Sequence, residues 1–173
     1  MNAGFVKWLY TSFEGRARRR DYWLGSLAVV VAIIVLAGIL AQVIGLFTAQ
    51  LLGNIVAFAL VLPIIVKRLH DRNKAAVPWA VLFLGVPALV NLAQYLGIGF
   101  DRVAPTAEQL ADAEAAGVPL APDAVILQPN AIGFSLLFVG MVVGLWALIE
   151  LGFLRGTVGP NRFGPDPRGG ATT

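Results

Sequence analysis

Residues able to do chemistry are concentrated in the segment Lys67-Arg68-Leu69-His70-Asp71-Arg72-Asn73-Lys74, which lies between two apolar runs. The segment holds the only histidine of the chain, and an imidazole titrates near neutral pH, so it could act as a general acid or base. Adjacent residues do not face each other on a helix, so Asp71 is poorly placed to orient His70. One histidine without acidic or thiolate neighbours is also a poor metal site.

Other catalytic signals are weak. The chain has no cysteine, which excludes disulfides, thiolate metal sites and a cysteine nucleophile. Ser12, Ser26 and Ser135 are not in a nucleophile-elbow context, and no nucleophile with a neighbouring base is visible. We therefore predict no catalytic residue, no metal site and no cofactor, and we favour a non-catalytic protein over an enzyme.

The elements that must position this segment are membrane spans. Of the 173 residues, 58% are apolar and 13% charged, and mean hydropathy is +0.78, whereas a soluble domain has about 25% charged residues. Apolar runs predict four spans at about residues 24–47, 50–66, 77–98 and 132–154, with a loop at 99–131. The predicted fold is all-α, a four-span transmembrane helical bundle forming a single integral membrane domain over residues 1–173.

The segments outside the spans have distinct predicted structures. Phe5, Trp8 and Leu9 recur at helical spacing, which predicts a short N-terminal amphipathic helix on the membrane surface. If the chain is helical from Arg16, that residue shares a face with Arg19, Arg20 and Trp23, and Arg19 could stack on the indole. Thr106 to Gln109 forms a capping-box pattern for a short helix that Gly117 would end. The tail from residue 155 is rich in Gly and Pro and cannot be regular helix.

Charge distribution predicts the orientation. Four crossings place the N-terminal segment, the 67–74 loop and the tail on one side, with twelve of the thirteen cations: Lys7, Arg16, Arg18, Arg19, Arg20, Lys67, Arg68, Arg72, Lys74, Arg155, Arg162 and Arg168. The other side has Arg102 with five acids: Asp101, Glu108, Asp112, Glu114 and Asp123. Lysine and arginine bias sets orientation, so both termini are predicted to be cytoplasmic and the 99–131 loop periplasmic. Short cation clusters beside apolar runs are typical of membrane orientation signals and argue against nucleic acid as a partner.

Four polar residues fall within or near the spans: Asn54, Asn91, Gln94 and Glu150. A solute path would need several of them in one line, whereas hydrogen bonds between helices are the structural alternative. Glu150 is near the cytoplasmic interface, where it can reach a cation.

Three motifs resemble the domain-of-unknown-function family 805, small bacterial inner-membrane proteins. They are Phe13-Glu14-Gly15-Arg16 followed by Arg19, Tyr22 and Trp23; Arg68-Leu69-His70-Asp71; and the run from Gly156 to Pro167, G-T-V-G-P-N-R-F-G-P-D-P. One difference is Ala75-Ala76, where the family commonly has Ser-Gly. The resemblance implies a multi-span protein of the bacterial inner membrane and no established activity.

All three motifs lie on the predicted cytoplasmic face, so we hypothesise that they meet there. The candidate cluster is Arg16, Arg19, Trp23, Arg68, His70, Asp71, Asn161 and Arg162. A convergent basic pocket would suit an anionic lipid headgroup, whereas the structural alternative is that these residues tie loops to helix ends, with Asp71 paired to Arg16 or Arg19. The leading function is a non-catalytic membrane protein whose basic face contacts anionic lipid or a protein partner, including a homo-oligomer. The alternatives are a transporter or channel subunit and an enzyme acting on a lipid-linked phosphate.

Overall fold

The chain is an α-helical membrane protein, as its composition predicts. The computed structural model describes residues 2–117 and 125–169. In that part of the chain, four helices are long and apolar enough to cross a membrane: Arg19–Ile44, Thr48–Asp71, Ala76–Leu96 and Ala131–Phe153. Many large apolar side chains on these helices are exposed, as lipid-facing surfaces require.

The first two long helices form a hairpin with a one-residue turn. Helix α1 spans Ala3–Thr11, α2 spans Arg19–Ile44 and α3 spans Leu46–Asp71. The chain reverses at Gly45, whose φ of +79° is a left-handed conformation that glycine adopts at no steric cost. The spans predicted from the sequence, 24–47 and 50–66, place this turn a few residues later, at about 48–49.

The prediction that residues 67–74 form a loop is wrong for most of the segment. Helix α3 continues through Asp71, and the turn that follows contains Asn73 at a φ of +57°. The apolar run ends at Val66, and hydropathy alone therefore ended the predicted span there. Lys67 and Arg68 are fully buried in the helix because other parts of the chain supply acceptors for them.

The third and fourth long helices each contain a π-helical segment. The third consists of α4 (Ala76–Ala80), π-helical Val81–Gly85 and α5 (Val86–Leu96). The fourth begins as α7 (Ala131–Ala147) and ends in π-helical Leu148–Phe153. π-Helical turns are rare and occur mostly as single turns within α-helices.

The described chain divides into two compact units, one from Met1–Gly85 with Gly144–Thr173 and one from Val86–Val143. The second unit contains an antiparallel pair that the sequence did not predict, β1 (Phe100–Val103) with β2 (Ile126–Pro129), and helix α6 (Ala107–Ala115).

Helix α6 begins with the predicted capping box. The Thr106 hydroxyl accepts from the Gln109 backbone N–H, and the Gln109 side chain accepts from the Thr106 N–H. Gly117, with a φ of +74°, follows the helix, as predicted. Asp123 and the last four tail residues lie outside the described residues.

Candidate functional site

A buried ion triad joins two of the sequence motifs. The Asp71 carboxylate, at the end of α3, lies 3.0 Å from the Arg16 guanidinium, and its other oxygen accepts from Arg68 one turn earlier on α3. All three side chains are at most 4% exposed. Two buried cations thus share one carboxylate, and buried charges of this kind persist only when further hydrogen bonds satisfy them.

Arg16 obtains its further bonds from the tail. Its guanidinium donates to the carbonyls of Gly159 and Thr157, each at 2.6 Å, and to that of Gly164 at 3.3 Å. The Asp71 carbonyl in turn accepts from the Thr157 backbone N–H (2.7 Å) and hydroxyl (2.9 Å). The third motif therefore folds around the arginine of the first motif, and the aspartate of the second holds both.

Seven consecutive carbonyls, residues 151–157, accept hydrogen bonds from distant side chains. The set begins in the last turn of the fourth long helix, whose final carbonyls lack intrahelical partners. Their donors, in carbonyl order, are Arg68, Trp23, Arg19, Arg68, Arg72, Arg168, and finally Arg16 with Arg168. The backbone carbonyls at the end of the fourth long helix and the start of the tail would otherwise lack hydrogen bonds. Side chains of α2, of α3 and its C-cap, of the segment before α2 and of the tail itself supply the donors.

Lys67 fastens helix α1 to α3. Its ammonium donates to the carbonyls of Trp8, Leu9 and Ser12 at 2.6, 2.8 and 2.7 Å, which uses all three of its donors. These carbonyls are at the C-terminal end of α1, where a cation is favoured by the helix dipole. Leu9, fully buried, completes the contact.

His70 packs against the tail and does not face the ion triad. Its ring stacks on Phe163 with centroids 3.9 Å apart and planes 6° from parallel, and Nδ1 is 3.2 Å from the Gly15 carbonyl. The Asn161 amide donates to the His70 carbonyl at 2.9 Å, and Arg162 donates to the Asn73 carbonyl at 3.2 Å. These contacts fix the tail over the end of α3.

Glu150 pairs with two cations from the turn that follows α3. Its Oε1 lies 2.9 Å from Arg72 Nε and 2.8 Å from Lys74 Nζ. The Lys74 ammonium also sits 3.9 Å from the ring centre of Trp79. Of the other polar residues predicted within the spans, Asn91 donates to the Pro87 carbonyl on its own helix at 2.8 Å, and Asn54 and Gln94 are half-buried.

Beside the triad is a cleft of about 200 Å³, which we call the arginine cleft. It is lined by Arg18, Arg19, Arg20, Arg68, Arg168, Asp71 and Gly156. Arg20 is exposed, and no other residue in the described ranges holds its guanidinium by a hydrogen bond or ion pair. The cleft also includes the start of α2, whose first backbone N–H groups lack intrahelical acceptors.

The two other carboxylates near the cleft already accept hydrogen bonds from neighbouring groups. Asp21 lies 3.7 Å from Arg18 and accepts from its backbone N–H. Asp166 accepts from the Arg168 backbone N–H and side chain and from the Gly159 N–H, and these bonds lower the pKa of Asp166 to about 2. Six arginines, those of the cleft with Arg16, therefore face three aspartates.

The sequence-predicted cluster is brought together in the structure, with changes in detail. Arg16 precedes helix α2 and does not share a helical face with Arg19, Arg20 and Trp23, contrary to the expectation made for a helix from Arg16. Arg19 donates to the Phe153 carbonyl (3.1 Å), and the Trp23 indole N–H to that of Gly152 (3.1 Å).

Sequence reasoning missed several contributors to this site. Lys67 and Thr157 join the buried network, and Arg18 and Arg168 line the cleft. Arg20, which the sequence placed on one face with Arg19 but outside the candidate cluster, also lines it. Gly156 was also missed: a Cβ there would overlap the Asp71 carboxylate. Its place in the tail motif was the available signal, since only glycine permits so close an approach.

The fold and this network define an integral membrane protein of four membrane-length helices, with three separated polar motifs joined at one end. The chain belongs to the family described as Protein of unknown function (DUF805), whose model matches residues 10–165. The resemblance inferred from the three motifs is thereby confirmed.

The chain is also similar in sequence to two named inner membrane proteins. The chain is 38% identical over 78 residues to inner membrane protein YhaI of Escherichia coli (strain K12), a match covering 43% of this chain and 63% of that protein. It is 37% identical over 81 residues to inner membrane protein YhaH of the same strain, covering 43% of this chain and 65% of that protein. The matches thus span less than two thirds of each relative. No solved structure matches the chain.

Proposed function

We propose that this chain is a non-catalytic inner-membrane protein that holds anionic phospholipid headgroups in the arginine cleft. The observation that carries the proposal is the charge excess there: five arginines line the cleft with one carboxylate, and Asp71 is already shared by Arg16 and Arg68. Guanidinium forks bind phosphate oxygens in pairs, and basic pockets at the membrane surface attract anionic lipids.

The position of the cleft supports a lipid ligand. It lies at the start of α2, and the uncharged run of that helix begins at Leu24, about 7 Å further along the axis. Trp23 is 41% exposed at this level, as interfacial tryptophans are. The cleft is therefore proposed to lie at headgroup depth.

The proposed orientation places both termini in the cytoplasm. Twelve of the thirteen lysines and arginines fall in the segments assigned to that side, and this bias orients membrane proteins. Relatives named as inner membrane proteins support the compartment.

Native mass spectrometry in mild detergent tests the proposal. The protein is mixed with equal amounts of phosphatidylglycerol and phosphatidylcholine, and the retained copies of each are compared. We expect phosphatidylglycerol to be retained preferentially, and Arg20→Ala to weaken its binding about tenfold, the effect of one charge-assisted hydrogen bond. Arg20 is the best probe because its guanidinium makes no hydrogen bond or ion pair with another described residue.

Arg155→Ala is the matched control, since it removes the same charge from the same proposed side of the membrane but outside the cleft lining. Equal retention of the two lipids, or equal losses in the two variants, would contradict a headgroup site in the cleft. Retention of a protein partner without anionic lipid would favour the protein-docking alternative instead.

A further inference from the structure

The arginine cleft has features that distinguish between kinds of phosphate. We infer that it selects a phosphomonoester headgroup, such as that of phosphatidic acid, over a phosphodiester headgroup. This inference rests on the proposed function and adds the chemical class of the ligand.

The first argument is charge. Arg16 and Arg68 share Asp71, Arg168 pairs with Asp166, and Arg18 lies beside Asp21. Arg19 donates only to a neutral carbonyl, and Arg20 is held by no other described residue. The local excess is thus three positive charges. A phosphomonoester carries about −1.5 to −2 near neutral pH, whereas a diester carries one negative charge, so the monoester neutralises more of the excess.

The second argument is that the donors come from separate segments. Arg18, Arg19 and Arg20 line the cleft from the start of α2 and Arg168 lines it from the tail, whereas the fully buried Arg68 contributes its charge. A monoester offers three terminal oxygens to donors from these segments, whereas the second ester bond of a diester removes one of them. The backbone N–H groups of the first turn of α2 add donors on the same side as Arg20.

The third argument concerns the source of the phosphate. One and two helical turns after Arg20 on α2, Leu24 and Leu27 are 48% and 59% exposed, and only 6% of the most apolar stretch of this helix is buried. Acyl chains attached to a bound headgroup would lie along this surface. Free phosphate has the same anion chemistry but gains nothing from the apolar contact.

The test compares three lipids of matched acyl chains by native mass spectrometry: phosphatidic acid, phosphatidylglycerol and phosphatidylcholine. We expect phosphatidic acid to bind about tenfold more tightly than phosphatidylglycerol, as one further charge-assisted hydrogen bond would give. Arg20→Ala should reduce this preference, and Arg20→Lys should restore it only in part because an ammonium lacks the planar fork. Arg155→Ala should leave the preference unchanged.

The outcomes separate the two proposals. If phosphatidic acid and phosphatidylglycerol bind equally and both exceed phosphatidylcholine, the monoester inference is wrong and the headgroup proposal stands. If all three bind equally, both are wrong. Inorganic phosphate is the final arm: if it displaces phosphatidic acid at equal concentration, the ligand is a free anion, and the lipid source is overturned.

Discussion

Asp71→Asn is the substitution with the largest expected effect on stability. The aspartate is the one carboxylate in the triad, and it accepts from both Arg16 and Arg68, which are almost fully buried. Asparagine is nearly the same size and leaves the backbone bonds to Thr157 in place. It retains one oxygen for one arginine, but its NH₂ group then faces the other. The variant therefore isolates the lost charge from any change in packing.

The expected cost follows from this geometry. Removing one partner of a buried ion pair costs about 3–5 kcal/mol, because the remaining charge is left uncompensated. Part of the guanidinium hydrogen bonding survives, since Arg16 still donates to tail carbonyls and Arg68 to those of Leu151 and Leu154. At about 2–4 °C per kcal/mol for a chain of this size, the expected fall in Tm is roughly 6–20 °C.

Thermal unfolding in one detergent, followed by tryptophan fluorescence, measures this change. Asp112→Asn on the exposed face of α6 is the matched control and should alter the free energy of unfolding by less than about 0.5 kcal/mol. Combining Asp71→Asn with Arg16→Met should cost less than the sum of the single changes, because the two residues are in contact. A Tm for Asp71→Asn within 2 °C of the parent (roughly 1 kcal/mol) would refute the view that the triad holds this end together.

Two further predictions address the tail and the orientation. Gly156→Ala should lower Tm by an amount comparable to Asp71→Asn, since its Cβ would overlap the Asp71 carboxylate. Gly144→Ala, which has open space at the Cβ position, is the control and should leave Tm unchanged. Equal Tm values for the two variants would contradict the close packing at Gly156. The chain has no cysteine, so Val158→Cys, 88% exposed, and Val125→Cys, 60% exposed, can each be labelled alone. We expect a membrane-impermeant maleimide to label position 125 in cells with a permeabilised outer membrane and position 158 only in inside-out vesicles; the reverse pattern would overturn the proposed orientation.

Hydropathy and charge were sufficient to predict the four long helices, because apolar length is a direct requirement of the bilayer. Hydropathy and charge did not predict where these helices end. The second span was cut at Val66 because Lys67 and Arg68 follow it, yet both are buried within α3. Apart from Asp71, which pairs with Arg68, their acceptors are carbonyls far away in the chain, at Trp8, Leu9, Ser12, Leu151 and Leu154, and no local pattern reports such distant partners.

The grouping of the candidate site was predicted for a different reason. Orientation placed three motifs on one side, and their meeting followed from the small area available there. The sequence could not predict which arginines bond within the protein and which face the cleft. The Arg16 guanidinium bonds to Asp71 and to tail carbonyls, whereas Arg20 lines the cleft. The strand pair β1–β2 was also missed, since four-residue strands carry little periodic signal.

The seven capped carbonyls at residues 151–157 have a consequence for how the chain is made. Synthesis proceeds from the N-terminus, so Arg16 and Arg68 leave the ribosome well before most of the oxygens that will accept from them. Until the final stretch is translated, two guanidinium groups must remain hydrated at the membrane surface. We therefore expect assembly of this end to be a late, concerted step, and a nascent chain stopped before residue 151 to expose those cations to quality-control proteases.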